Sequence, residues 1–270
     1  MENVKTASGS QLSNDLINQV LADSDNKKEY EAEITAPSDT TVNLPAGLIT
    51  PSGEVLRTAE VRELTGRDEE YIAKAGGIGK AFSTILSRGV VKIGDTTADE
   101  KMLDAMLSGD RDALMLGVFK ATFGSELEIP APCNGCGEMK LVAVDIDRDV
   151  PVKVLIDPIE DRTFTVQGKK NEYLVTLPTG VVQKEITENA EKGEAELTTS
   201  LLEHTILEIN GSPVVTKAQV LNMGIVDRRK ISTEISKRIP GPQFDGVTIT
   251  CPDCEGEVVV PFNLGAFFRY

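Results

Sequence analysis

The chain has one histidine, His204, no tryptophan and only 4% aromatic residues. A single imidazole excludes most catalytic designs built on paired or metal-bound histidines. So few rings leave no stacking platform for bases and no aromatic cleft for sugars. Basic residues are in deficit: 28 Lys and Arg against 43 Asp and Glu give a formal net charge of −15 over 270 residues. Such a body repels phosphate backbones and anionic headgroups, so neither nucleic acid nor a membrane surface is an expected partner. The densest basic stretch, Ile225-Val226-Asp227-Arg228-Arg229-Lys230, is too short for a nucleic-acid stripe. No apolar run approaches the roughly 18 residues a membrane-spanning helix needs. The opening residues Met1-Glu2-Asn3-Val4-Lys5-Thr6 lack a charged-then-apolar leader, and export by a signal peptide is not expected.

What is present is ordinary for a folded protein: 40% hydrophobic and 26% charged residues, enough for one large or two small domains. Residues 1–40 stand apart as a polar segment. Leu12, Leu16, Ile17, Val20 and Leu21 recur there at helical spacing, ahead of an extended stretch through residues 31–38. The expectation is an N-terminal arm, either a flexible tail or a short amphipathic helix that orders against a partner.

The remainder carries an internal repeat. Leu44-Pro45-Ala46-Gly47-Leu48-Ile49 is echoed by Leu177-Pro178-Thr179-Gly180-Val181-Val182, and residues 85–93 align without gaps on residues 201–209. Gly109-Asp110-Arg111 falls opposite Val226-Asp227-Arg228, and Cys133 and Cys136 fall opposite Cys251 and Cys254. The four matches keep their order at a nearly constant offset. They imply an α+β fold built as a tandem duplication of a strand–helix–β-hairpin module, with a first module over 41–150 and a second over 151–270. Strands and turns are expected at 44–56 and 172–184, and helices at 69–74, 80–86 and 195–202. Asp110 is expected to N-cap a helix over 111–123 that stops at Gly124, and Asp227 one over 228–238 that stops before Pro240-Gly241.

All four cysteines of the chain fall in two C-x-x-C pairs, Cys133-Asn134-Gly135-Cys136 and Cys251-Pro252-Asp253-Cys254. Strand-like segments flank each pair, which reads as a knuckle at the tip of a β-hairpin, over 127–146 and 247–264. Two knuckles supply four thiolates, the closed tetrahedral shell that structural zinc favours. The pairs lie too far apart in sequence for one zinc ribbon. The repeat accounts for this if each module brings half of one shared zinc site, with Cys133, Cys136, Cys251 and Cys254 as ligands. Disulfides within or between the pairs, redox-active thiols and metal-free knuckles are the competing readings.

Other motifs carry less. Gly76-Gly77-Ile78-Gly79-Lys80-Ala81 lacks the first glycine and the closing Ser or Thr of a phosphate loop, and reads as a helix break. Asp145, Asp147 and Asp149 alternate as on one strand face, without the glycine turn and closing Glu of a calcium loop. His204 is matched by Arg88 in the other half, as at a helix end that tolerates either. No carboxylate pair stands out as a hydrolytic dyad, so no enzyme activity is expected.

Val61-Arg62-Glu63-Leu64-Thr65-Gly66-Arg67-Asp68-Glu69-Glu70 resembles a segment of phage baseplate and tail-assembly proteins. So do Gly109-Asp110-Arg111-Asp112-Ala113-Leu114-Met115-Leu116, Ala121-Thr122-Phe123-Gly124 and the hairpin ending in Val144-Asp145-Ile146. Over residues 44–264 the chain is similar to the baseplate hub and hub-assembly proteins of T-even-type contractile-tailed phages. The second half departs from that pattern, having no Thr-Gly-Arg-Asp-Glu-Glu segment. The resemblance carries the metal-ligand candidates onto Cys133, Cys136, Cys251 and Cys254. It implies a structural part of the virion tail baseplate, near the hub, made in the bacterial cytoplasm. A transient assembly chaperone absent from the finished particle is the alternative, and a redox protein using the C-x-x-C pairs is a third. The expected partners are other tail proteins, docked through the N-terminal arm and the C-terminal Phe267-Phe268-Arg269-Tyr270, since aromatic and Arg residues are common interface anchors.

Overall fold

A proline and a glycine inside the first strand distort the first hairpin. β1 (Thr41–Ile49) pairs antiparallel with β2 (Val55–Val61), from Thr41 opposite Glu60 to Ile49 opposite Val55. The register slips between Asn43 and Leu48, where Pro45 has no N–H to give and Gly47 turns to φ 77°. The backbone groups freed by this bulge are used by distant segments. Ala46 N–H donates to Asp110 Oδ1 at 2.7 Å, and Pro45 C=O accepts from Leu155 N–H at 3.0 Å. Gly47 C=O accepts from the Arg162 guanidinium. The chain is seen as a computed structural model describing residues 40–214, 216–244 and 247–261, all within one compact unit, Pro37–Tyr270. The expected arm and the terminal aromatic segment fall outside the described residues.

α1 (Gly66–Ala73) starts in a capping box of Thr65 and Asp68. The buried Asp68 carboxylate also accepts from Arg62 at 2.8 Å and lies 3.1 Å from Arg88 Nε. The Arg62 guanidinium foremost, with the Thr65 N–H and hydroxyl, holds its pKa far below the usual carboxylate range. Gly76 and Gly77 then break the helix, and α2 (Ile78–Gly89) runs directly into β3 (Val90–Ile93) and β4 (Thr96–Thr97). The four strands form an antiparallel sheet in the order β1-β2-β3-β4. α3 (Glu100–Ala105) leads into α4 (Ser108–Phe123), whose Leu114, Met115 and Val118 pack with Leu44, Leu86 and Ile93 in the first core. Burying each such side chain is worth roughly 1.5–3 kcal/mol. β5 (Glu126–Pro132) and β6 (Met139–Asp145) make the first cysteine hairpin.

A helical turn, α5 (Ile146–Asp149), and the short β7 (Val152–Lys153) lead to a 3-10 turn over Glu160–Arg162. A second antiparallel sheet comes next, with β8 (Thr163–Gln167), β9 (Glu172–Thr176), α6 (Gly180–Glu188), α7 (Glu194–Thr205), β10 (Ile206–Ile209) and β11 (Ser212–Pro213) in chain order. Its strands lie in the order β8-β9-β10-β11. Two further helices are α8 (Lys217–Leu221) and α9 (Ile225–Arg238). β12 (Gly241–Pro242) pairs with β7, and β13 (Thr248–Thr250) with β14 (Glu257–Val259) as the second cysteine hairpin. Tyr173, Val175, Leu202, Ile231 and Ile235 fill the second core. A third cluster joins both cysteine hairpins to Leu116 and Phe119 of α4.

The class is α+β. The order hairpin, two helices, short hairpin, two helices, cysteine hairpin occurs once before residue 150 and once after it. Three expectations need correction. Residues 44–49 lie inside β1, whereas residues 177–182 follow β9 and enter α6, so this matched pair is not equivalent in place. The segment standing where Thr179-Gly180 stand is Thr65-Gly66, each pair opening the first helix of its half. Both aspartates lie inside the first helical turn. α4 begins at Ser108 after N-cap Leu107 and α9 at Ile225 after N-cap Gly224, because each side chain reaches across to a hairpin and not back to its own helix. Asp145, Asp147 and Asp149 do not share a strand face. β6 ends at Asp145, whose Oδ1 caps α5 by accepting from Asp147 N–H at 2.9 Å.

Candidate metal centre

Both C-x-x-C pairs sit at hairpin tips and fold by the same backbone pattern. Cys133 N–H donates to Glu138 C=O at 2.9 Å, and Cys251 N–H to Gly256 C=O at 2.8 Å. Gly137 N–H donates to Cys133 C=O at 2.9 Å, and Glu255 N–H to Cys251 C=O at 3.1 Å. Closing the loop needs a left-handed residue just after the second cysteine. Gly137 supplies it at φ 73° and Glu255 at φ 58°. The first cysteine of each pair is buried and the second exposed.

The two tips meet directly. Asn134 N–H donates to Glu257 C=O at 3.1 Å, and Cys133 lies opposite Val258 in an antiparallel bridge. Gly135 and Gly256 lie back to back. A side chain on Gly135 would come within 2.9 Å of Cys254 Sγ and 3.2 Å of Gly256 Cα, so only glycine permits this approach. Lys140 joins the hairpins from outside through Asp253 at 2.6 Å and Glu138. The hydrogen bond to Asp253, then that to Glu138, pushes its pKa up.

As a result the four sulfurs of Cys133, Cys136, Cys251 and Cys254 all lie within 4.8 Å of one another, with Cys133 and Cys254 at 3.5 Å. All four thiols are free. A zinc ion with Zn–S bonds of about 2.3 Å needs sulfur–sulfur edges of about 3.8 Å, which this cluster brackets. The electrostatics fit a cation. The N–H of Cys136, then that of Gly135, donates to Cys133 and draws its thiol pKa down to about 6. At Cys254 the Gly256 N–H pulls downward, but the Cys133 and Cys251 sulfurs together with burial push the pKa up to about 11. Crowded sulfurs resist simultaneous ionisation unless a positive charge sits among them.

Of the weaker sequence motifs, Arg88 and His204 each lie in the last turn of a helix and face an acid, Asp68 and Glu185 respectively. Glycines 76 and 77 break a helix. Other contacts have weak sequence signals. Arg111 is wholly buried between α3 and α6, where it donates to Gln183 Oε1 at 2.9 Å and to Leu103 C=O at 3.0 Å. Ser108 N–H donates to Pro178 C=O and Gly180 N–H to Met106 C=O, tying the start of α4 to the start of α6. A Pro-Ala-Gly run inside a strand pattern is the only sequence sign of the bulge that receives Asp110.

These features define a class: an α+β scaffold whose one cluster of potential metal ligands, among the described residues, is a four-sulfur set with no His or carboxylate in it. The family model for the T4 bacteriophage base plate protein matches residues 27–269, and the chain belongs to that family. No curated protein and no solved structure matches it. Family membership makes it a phage baseplate structural protein that works among other phage tail proteins. No helix among the described residues is long and apolar enough to cross a membrane.

Proposed function

We propose that this protein is a rigid adaptor near the hub of a phage tail baseplate, fastened by one structural zinc ion. Cys133, Cys136, Cys251 and Cys254 are its ligands. The observation that carries the reading is the convergence of two knuckles, one from 41–150 and one from 151–270, on a point where four sulfurs lie within 4.8 Å. We read the two segments as duplicated modules, supported by the recurring element order and the identical knuckle hydrogen bonds. A four-thiolate shell leaves no position for water or substrate, so the zinc holds shape and performs no reaction. Structural zinc contributes roughly 10–16 kcal/mol of apparent binding free energy in small metal-dependent folds. Here it would clasp the cysteine-hairpin ends of two modules that also pack together at the joint between α4 and α6. The N-terminal arm over 1–40 and the C-terminal Phe267-Phe268-Arg269-Tyr270 dock neighbouring tail proteins, and the acidic body keeps clear of nucleic acid and membrane.

Two measurements test this. Mass spectrometry of purified particles should find the chain at fixed stoichiometry, and its absence would make it an assembly factor that leaves the finished tail. Metal analysis of gently purified protein should find one zinc per chain with four protected thiols. Reactive thiols without metal would favour redox work and overturn the adaptor. Cys136→Ser and Cys254→Ser should each abolish zinc retention and yield unfolded or insoluble protein. A soluble variant with unchanged melting would refute a structural metal.

A further inference from the structure

We infer that the corner between α8 and α9 is a docking surface for a second copy of this chain, which it meets at the start of that copy's α1. The inference rests on the two-module reading above. The template is the contact already made within one chain. There the corner between α3 and α4 closes on the start of α6: Ser108 N–H donates to Pro178 C=O at 2.9 Å, Gly180 N–H to Met106 C=O at 2.8 Å, and Leu107 lies opposite Thr179. Leu107, Ser108 and Pro178 are buried there, beside Met106 of the first core.

Matched element by element, both sides of this contact occur a second time, and among the described residues no backbone bond joins the two, although Leu64 and Met223 turn inward onto their own cores. Met223-Gly224-Ile225-Val226 stand where Met106-Leu107-Ser108-Gly109 stand, each run leading into the long helix of its half. Leu64-Thr65-Gly66 stand where Pro178-Thr179-Gly180 stand. The second pair of surfaces is open. Ile225 is 68% exposed, Leu221 59% and Val226 58%, and Thr65 and Gly66 are exposed too. Three large aliphatic side chains grouped at one helix corner are a poor face for water and mark an interaction site. Charge supports the pairing. Exposed Arg229 flanks the corner, with Lys230 beside it donating to Gln167 C=O, and exposed Glu69 and Glu70 line α1 next to Arg67, Glu70 also facing Lys74.

The second contact is not a copy of the first in detail. Gly109 passes so close to Pro240 that a side chain there would lie 1.7 Å from the carbonyl oxygen, whereas Val226 holds the equivalent place. Backbones therefore stay further apart, and Ile225 and Val226 fill the gap. Because the corner and the α1 surface are different faces, the association is heterologous, and copies add head to tail.

The test uses the full-length, zinc-loaded chain in sedimentation velocity across the micromolar range. The average mass should rise with concentration. Ile225→Glu, and separately the double change Glu69→Arg with Glu70→Arg, should each weaken association by about tenfold or more without altering melting or zinc content. Mixed together, the two variants should form a one-to-one pair and nothing larger, since each keeps one sound face. A chain that stays monomeric, association indifferent to both changes, or a mixture that fails to pair would overturn the inference. Gly180→Val, whose side chain would meet Leu103 C=O, tests the underlying contact and should lower melting of the single chain. If it does so while the chain remains monomeric, only the docking inference fails. If it leaves melting untouched, the two-module reading fails with it.

Discussion

Asp110 and Asp227 lie at the third position of the long helix of their halves, and both reach back to the first hairpin, but they meet different surroundings. Asp227 is fully used: one oxygen accepts from Lys169 N–H at 2.9 Å and the other from the Tyr173 hydroxyl at 2.9 Å. Asp110 is fully buried, with Oδ1 bonded to Ala46 N–H and Oδ2 without a hydrogen-bond partner. Burial pushes its pKa up to about 6, against the pull of the Ala46 and Gly47 N–H groups and of Arg162 and Arg57 nearby. The difference comes from position. The start of α4 is pressed into the second half, which removes water and leaves no hydroxyl in its place. The start of α9 faces outward and has Tyr173 beneath it. Matching positions of the two halves thus differ: one forms an internal joint and the other lies at the surface.

The most disruptive way to break this contrast is to thicken the joint. Gly109→Val should destabilise the chain by about 3 kcal/mol or more, because its Cβ would lie 1.7 Å from Pro240 C=O and both are backbone-anchored. Val226→Gly, the reverse change at the matching place, should cost no more than about 1 kcal/mol, the ordinary penalty of glycine in a helix. Chemical denaturation of the purified protein measures both. Equal losses would mean that the joint is no tighter than the open corner.

Part of this asymmetry is legible in the sequence. The gap-free match of residues 85–93 to residues 201–209 marks two equivalent helix-to-strand passages, at Gly89-Val90 and Thr205-Ile206, because their apolar patterns are set by the same local burial. The cysteine knuckles are legible because their chemistry allows few alternatives. The joint is not. Met106-Leu107-Ser108-Gly109 and Met223-Gly224-Ile225-Val226 are both small or apolar, and composition does not say which is covered. Pattern alone starts both long helices too late because Asp110 and Asp227 look like caps, and only long-range partners reveal that they are cross-braces. β8 and α6 escape the sequence pattern for a related reason. Matching Leu44-Pro45 to Leu177-Pro178 moves the second half's first hairpin past its true position.

A gentler change sharpens the comparison through pH. A carboxyl whose pKa rises on folding stabilises the fold below its unfolded value, near 3.8, and loses that contribution as pH climbs through about 6. Above that, ionised Asp110 is a burden on the order of 3 kcal/mol, from about 1.4 kcal/mol per pKa unit. Asp110→Asn keeps an acceptor for Ala46 and removes the charge. It should raise the melting temperature at pH 7.5 and progressively less towards pH 5. Asp227→Asn should show no such gain, since both of its oxygens already accept hydrogen bonds. A rise in stability of the same size in both variants would erase the distinction drawn between the two sites.

The smallest effect lies in the knuckles, where the halves are most alike. Gly137 and Glu255 hold the same left-handed turn position, at φ 73° and 58°, and each donates its N–H to the first cysteine of its pair. A side chain is strained there, while glycine is not but loses more freedom on folding. Glu255→Gly should therefore stabilise the second knuckle by about 0.5–1 kcal/mol, and Gly137→Glu should destabilise the first by a similar amount. Urea denaturation resolves such differences. If Glu255→Gly instead loses stability, the Glu255 side chain makes a favourable contribution that outweighs its backbone strain, and the two knuckles are alike in path but not in what holds them.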